Sequence, residues 1–116
     1  MQHRTERISE ALREELTEMI GYELSDPRVA SATVTGLEVS PDKRHALVRI
    51  RVDEGVDRDK ALAALEHAAP FLRREVARRL DLFRVPELHF EPDIATELGG
   101  RMEHLLKRIK KGRPKE

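Results

Sequence analysis

Four arginines, Arg73, Arg74, Arg78 and Arg79, stand in the short stretch 73–79 at spacings of four and five, and Arg84 follows them. A guanidinium presents a planar fork of donors that fits phosphate better than an ammonium does, and 16 of the 22 basic residues are arginine. The chemistry they suggest is phosphate contact along a helix face, with a solvated charged surface as the competing reading. Other chemistry finds little support. His3, His45, His67, His89 and His104 are scattered without HExxH or another metal-ligand spacing, so no metal site is expected. Glu87, Glu91 and Asp93 could mimic an acid/base pair, but alternation places Glu87 and Glu91 on the solvent face of a short strand. Ser25-Asp26 and Ser40 lack a nearby base and read as turn or cap residues, and Gly99-Gly100-Arg101 lacks the ending of a phosphate-binding loop. No catalytic residue and no cofactor is expected.

The chain has 116 residues, enough for one domain with a modest core. Hydrophobic residues make up 39% and charged residues 38%; tryptophan is absent, and Phe71, Phe83 and Phe90 are expected in an otherwise aliphatic core. Without cysteine there are no disulfides, thiolate metal sites or cysteine nucleophiles. No apolar run approaches a membrane span and no signal-peptide pattern opens the chain, so a soluble, cytoplasmic protein is expected. The net charge of zero is unevenly laid out: residues 1–30 carry four basic and seven acidic side chains, residues 101–116 seven basic and two acidic. Any contact with a polyanion must therefore come from a local face.

The elements that would position these residues follow from periodicity. Ile8, Leu12, Leu16, Met19 and Ile20 recur at helical spacing between Thr5 and Leu24, and Pro27 in "SDPRV" ends that helix. "TVTGLEV" and "RHALVRIRV" alternate around Ser40-Pro41-Asp42-Lys43 and read as an antiparallel hairpin. Thr35, Leu37 and Val39 share one face, as do Ala46, Val48, Ile50 and Val52, which leaves Arg49 and Arg51 on the other. Asp57 or Asp59 caps a second helical unit in which Leu62, Leu65, Ala69, Leu72, Val76 and Leu80 form one stripe on both sides of Pro70. Proline removes the N–H that would bond the Glu66 carbonyl and biases Ala69 away from the helical region, so two short helices with a bend at Ala68-Ala69-Pro70 are expected. "PELHFEPD" reads as a third strand. Met102, Leu105, Leu106 and Ile109 mark a C-terminal helix that carries Lys107 and Lys110 and ends before a basic, mobile tail at 111–116.

The expected fold is α+β: a domain over residues 1–110 with a three-stranded antiparallel sheet and helices on one face. The element order is that of a type II KH domain, a nucleic-acid-binding fold, but the glycines, at 21, 36, 55, 99, 100 and 112, form no GXXG loop. The segments "RISEALREEL", "DPRV", "VTGLEVSPDKRHALV", "AAPFLRREV" and "RVPELHFEPD", in this order, resemble the bacterial ribosome-binding factor A family over about residues 4–109. In that family a helix–kink–helix with an alanine-x-glycine sequence takes the place of the loop, and Pro70 stands where the glycine usually is.

The resemblance implies a non-enzymatic, monomeric factor with two partners, the free 30S ribosomal subunit and the 5′-terminal helix region of 16S rRNA. It would assist late subunit assembly and 16S rRNA 5′-end processing, with cold adaptation as a family trait. The residues expected to touch RNA are Arg49, Arg51, Arg73, Arg74, Arg78, Arg79, Arg84, Lys107, Lys110 and Lys111. With almost no aromatic residues outside the core, recognition of shape and backbone is expected over base stacking. Two rival functions are a generic KH-like module of another ribonucleoprotein and an adaptor docking a protein through its acidic first helix.

Overall fold

A computed structural model describes residues 2–93 and 101–112; for 2–6, 101, 103, 104, 111 and 112 it describes the backbone alone. The first helix, α1, spans Gln2–Glu18 and continues into one wider π turn over Met19–Glu23. Leu12, Leu16, Met19 and Ile20 are buried, as the three- and four-residue spacing of its apolar stripe requires. The stop at Pro27 works as read: Asp26 accepts from the backbone N–H and the guanidinium of Arg28, which lowers its carboxyl pKa to about 2.

Strands β1 (Thr33–Val39) and β2 (His45–Arg51) form the antiparallel hairpin. A bulge between Val34 and Gly36 breaks the expected alternation and turns Val34 into the core alongside Val39, while Leu37 packs against its margin. Asp57 caps α2 (Arg58–Leu80) by accepting the Lys60 N–H. This helix is continuous. The two helices expected on either side of Ala68-Ala69-Pro70 are one, with Pro70 exposed on its surface and Ala68 and Ala69 half-buried against the core. Leu65 on one side of the proline and Leu72 and Val76 on the other all pack on the same sheet, so burial holds the helical path through the missing hydrogen bond.

Strand β3 (Glu87–Pro92) pairs with β2 in parallel, His45 opposite Glu87 and Ile50 opposite Pro92, so the sheet is mixed, in the order β1-β2-β3, and not wholly antiparallel. The length of α2 explains this. A 23-residue helix rises about 34 Å, enough to return the chain to the starting edge of β2, and such a crossover gives parallel neighbours.

The helices also occupy both faces. Ala46, Val48, Ile50, Leu88 and Phe90 meet α1 and α2, whereas Leu47 faces the other way into a smaller cluster with Met102 and Leu105 of α3 (Arg101–Gly112). The expectation of helices on one face missed that Ala46, Leu47 and Val48 are consecutive buried residues, the mark of a strand covered on both sides. The helix also runs two residues past the expected domain end at 110; residues 113–116 of the expected tail, and Gly99-Gly100, lie outside the described residues.

Candidate nucleic-acid interface

The loop between β1 and β2 is fastened from within. Buried Ser40 donates to Asp42 at 2.6 Å and accepts the His45 N–H at 3.1 Å, while Asp42 also accepts the Arg44 N–H at 3.0 Å. The Ser40 hydroxyl and then the Arg44 amide hold the Asp42 carboxyl below its ordinary pKa. Lys43 takes a left-handed conformation with φ 64, and the Arg44 carbonyl accepts the Glu87 N–H at 2.8 Å, tying the turn to the start of β3. Lys43 and Arg44 are thereby placed at a fixed edge of the sheet.

Three other elements converge on that edge. From α2, Arg73 donates to the Val85 carbonyl at 3.0 Å; from the loop before β3 comes Arg84; from α3 come Lys107 and Lys110. Together they line an open groove of about 770 Å³ in which six cationic side chains face two carboxylates, Asp42 and Glu87. Leu106, Ile109 and Val85 supply its apolar wall. A concentration of positive charge in a concave surface suits an extended polyanion, because the field of each cation adds where the ligand's charges must lie.

Of the ten arginines and lysines singled out by sequence, the fold brings four together here: Arg73, Arg84, Lys107 and Lys110. Arg74 and Arg78 are exposed on α2, and Arg78 pairs with Glu75 at 2.6 Å. Arg79 belongs to a different structure altogether. Its guanidinium reaches Glu23 at 2.5 and 2.9 Å and lies 3.5 Å from both Glu15 and Glu75, which raises its already high pKa. It fastens α1 to α2, and its carboxylate partners leave it unsuited to phosphate. Arg49 is half-buried over Gly36, whose absent side chain leaves room for the guanidinium. Arg51 lies at the far end of β2, beside Asp53, Asp57, Asp59 and Asp93 in a second cavity. Lys111 is helical in backbone, and its side chain lies outside the described residues. Sequence reasoning missed Lys43, which it took as a turn residue, and Arg44, which it took as the start of a strand; their basic type at the strand's entry was the available signal.

Beside the groove lies another feature that spacing concealed. His45 Nδ1 and His89 Nε2 are 3.1 Å apart, and Glu87 Oε1 lies 3.9 Å from His45. Parallel pairing of β2 and β3 brings these three side chains to one face from positions far apart in the chain. Burial lowers the pKa of His89, against a smaller opposing effect of Glu87. One imidazole donates to the other, and the tautomers decide which.

A mixed three-stranded sheet, a crossover helix without a GXXG loop and a cationic groove at the sheet edge define a small α+β domain of the type II KH arrangement. Residues 4–106 match the family profile of Ribosome-binding factor A, and the chain belongs to that family. The Ribosome-binding factor A of Solibacter usitatus is 51% identical over 117 residues, covering 99% of this chain and 94% of that protein. That of Aromatoleum aromaticum is 40% identical, covering 91% and 84%. Among solved structures, the crystal structure of the Thermus thermophilus factor superposes with a TM-score of 0.64 at 30% identity, covering 82% of this chain and 97% of that one. A homology model of the Thermus thermophilus factor, fitted into a cryo-EM map of a 30S–RbfA complex, superposes with a TM-score of 0.59 at 30% identity, covering 80% and 98%.

Proposed function

We propose that the protein binds the free 30S subunit and assists its late maturation, including processing of the 16S rRNA 5′ end, as a monomeric cytoplasmic factor without catalytic activity. Family membership supports the ribosomal setting, as does the 30S complex into which the Thermus thermophilus factor was fitted. The observation that carries the contact is the groove in which Lys43, Arg44, Arg73, Arg84, Lys107 and Lys110 converge. Its ligand is the phosphate backbone of rRNA, in the 5′-terminal helix region of the 16S molecule. The adaptor reading loses ground because α1 buries its apolar stripe and commits Glu15, with Glu23 of the following turn, to Arg79.

The test is co-sedimentation with free small subunits on a sucrose gradient. Replacing Lys107 and Lys110 together by glutamate should move the protein to the top of the gradient, and in purified form should reduce the salt dependence of RNA binding. Undiminished co-sedimentation of the folded variant would remove the groove from the interface.

A further inference from the structure

Phe83 does not belong to the core its residue type suggests. The residue is 95% exposed and Phe71 41%, whereas Phe90 is 9% exposed. The loop geometry turns Phe83 outward. Asp81, in a left-handed conformation at φ 54 and ψ 48, ends α2, and the Leu82 N–H bonds the Ala77 carbonyl at 3.0 Å. Leu82 and Val85 then pack against the core and Pro86 is buried, so the backbone on both sides of Phe83 and Arg84 is anchored. An isolated phenyl ring held in water forgoes the gain of burial, and close to it in the chain Asp81 and Arg84 are exposed charged residues.

The adjoining charge indicates what suits the ring. The Arg84 guanidinium lies 5.8 Å from the Phe83 ring centroid, and the same Arg84 lines the cationic groove. Aromatic ring and phosphate site are therefore contiguous through one residue. A nucleotide has the matching pair of parts, an anionic backbone and a flat base whose faces stack on aromatic rings whatever its identity.

We propose that Phe83 is a stacking platform for an unpaired base of RNA whose phosphates lie at Arg84 and in the groove. The inference rests on the RNA-binding reading of that groove and adds to it a preference for an unstacked nucleotide. A base held between strands of a duplex has no free face to offer, so the ring discriminates single-stranded or bulged RNA from continuous helix.

The test uses the full chain with two probes of equal length, a single-stranded oligouridine carrying one fluorescent purine analogue and a fully paired RNA duplex. Phe83→Leu should weaken single-strand binding about tenfold, abolish the quenching of the analogue on binding, and leave duplex affinity unchanged; Phe83→Trp should retain both binding and quenching. Because the ring is exposed, both variants should melt as the parent does. Equal single-strand affinity and equal quenching for the parent and Phe83→Leu would overturn the platform. Failure of the parent to bind either probe would overturn platform and groove together. If reversing Lys107 and Lys110 leaves both affinities unchanged while Phe83→Leu still lowers one, the platform stands and the groove assignment falls.

Discussion

Arg79 of α2 bonds both carboxylate oxygens of Glu23, which lies in the π turn that follows α1, and so joins two helices through residues 56 positions apart. Arg79 stands seven positions after Leu72 and three after Val76, so it continues the inward stripe of α2 and not the outer face that Arg74 and Arg78 occupy. Arg79→Ala should lower the melting temperature and flatten its dependence on salt, since the ion pairs lost are the ones that salt screens. Co-sedimentation with small subunits should be unaffected at temperatures where the variant is folded. A loss of binding by folded Arg79→Ala, measured beside the double reversal of Lys107 and Lys110, would return Arg79 to the interface.

Pro70 lies inside a continuous helix, so its replacement tests whether the proline serves shape or is merely tolerated. A proline in a helix interior is less favourable than alanine by about 3 kcal/mol, and alanine would again supply a donor to the Glu66 carbonyl. Against this, the unfolded chain gains freedom when proline is lost, about 0.4–1 kcal/mol. Pro70→Ala should therefore stabilise the protein by about 2 kcal/mol, read as a higher urea midpoint with unchanged slope. A fall in stability would mean that packing on both sides depends on the bend a proline imposes.

The elements visible in sequence were those whose determinants are local. The heptad-like stripe of α1, the hairpin about Ser40-Pro41-Asp42-Lys43 and the Asp57 cap all appear where spacing and turn chemistry place them. The direction of β3 was not legible, because parallel pairing depends on the length and route of α2 and not on any residue in "PELHFEPD". A break into two helices at Ala68-Ala69-Pro70 follows from a local rule, but one helix runs through the proline, with Leu65 buried on one side of it and Leu72 and Val76 on the other. The groove was half legible: basic residue type marked Arg73, Arg84, Lys107 and Lys110, while their meeting with Lys43 and Arg44 is a product of the tertiary fold. Phe83 was misplaced because hydrophobicity predicts burial only on average.

His89 makes stability depend on pH in a stated direction. Burial lowers its pKa below the ordinary 6.5, with His45 and Arg108 acting the same way and Glu87 and Glu66 opposing. The unfolded chain therefore takes up a proton before the folded one does, so the contribution is complete above the unfolded value and is lost as pH falls through the folded one. Thermal melts should show stability declining as pH is lowered through about 6.5, before the acidic range in which Asp26 and Asp42 titrate. His89→Gln should flatten the decline in the upper part of this window. An identical pH profile for the variant would locate the titration elsewhere.

Leu105 couples packing to binding. With Met102 it buries on Leu47, with Leu106 and Ile109 packed beside them, and this cluster is separate from the main core, so among the described residues it is what holds α3 to the sheet. Removing a buried leucine side chain to alanine costs about 2–5 kcal/mol, more than so small a cluster can lose while keeping a helix docked. Leu105→Ala should thus release α3 without unfolding the rest: amide exchange should quicken in α3 and stay slow in β2 and α2. Lys107 and Lys110 would leave the groove with the helix, and RNA affinity should fall towards that of the double reversal of those lysines. Slow exchange retained in α3 together with normal RNA affinity would show that the helix is held by more than this cluster. Rapid exchange with normal affinity would show instead that Lys43, Arg44, Arg73 and Arg84 suffice to hold the backbone.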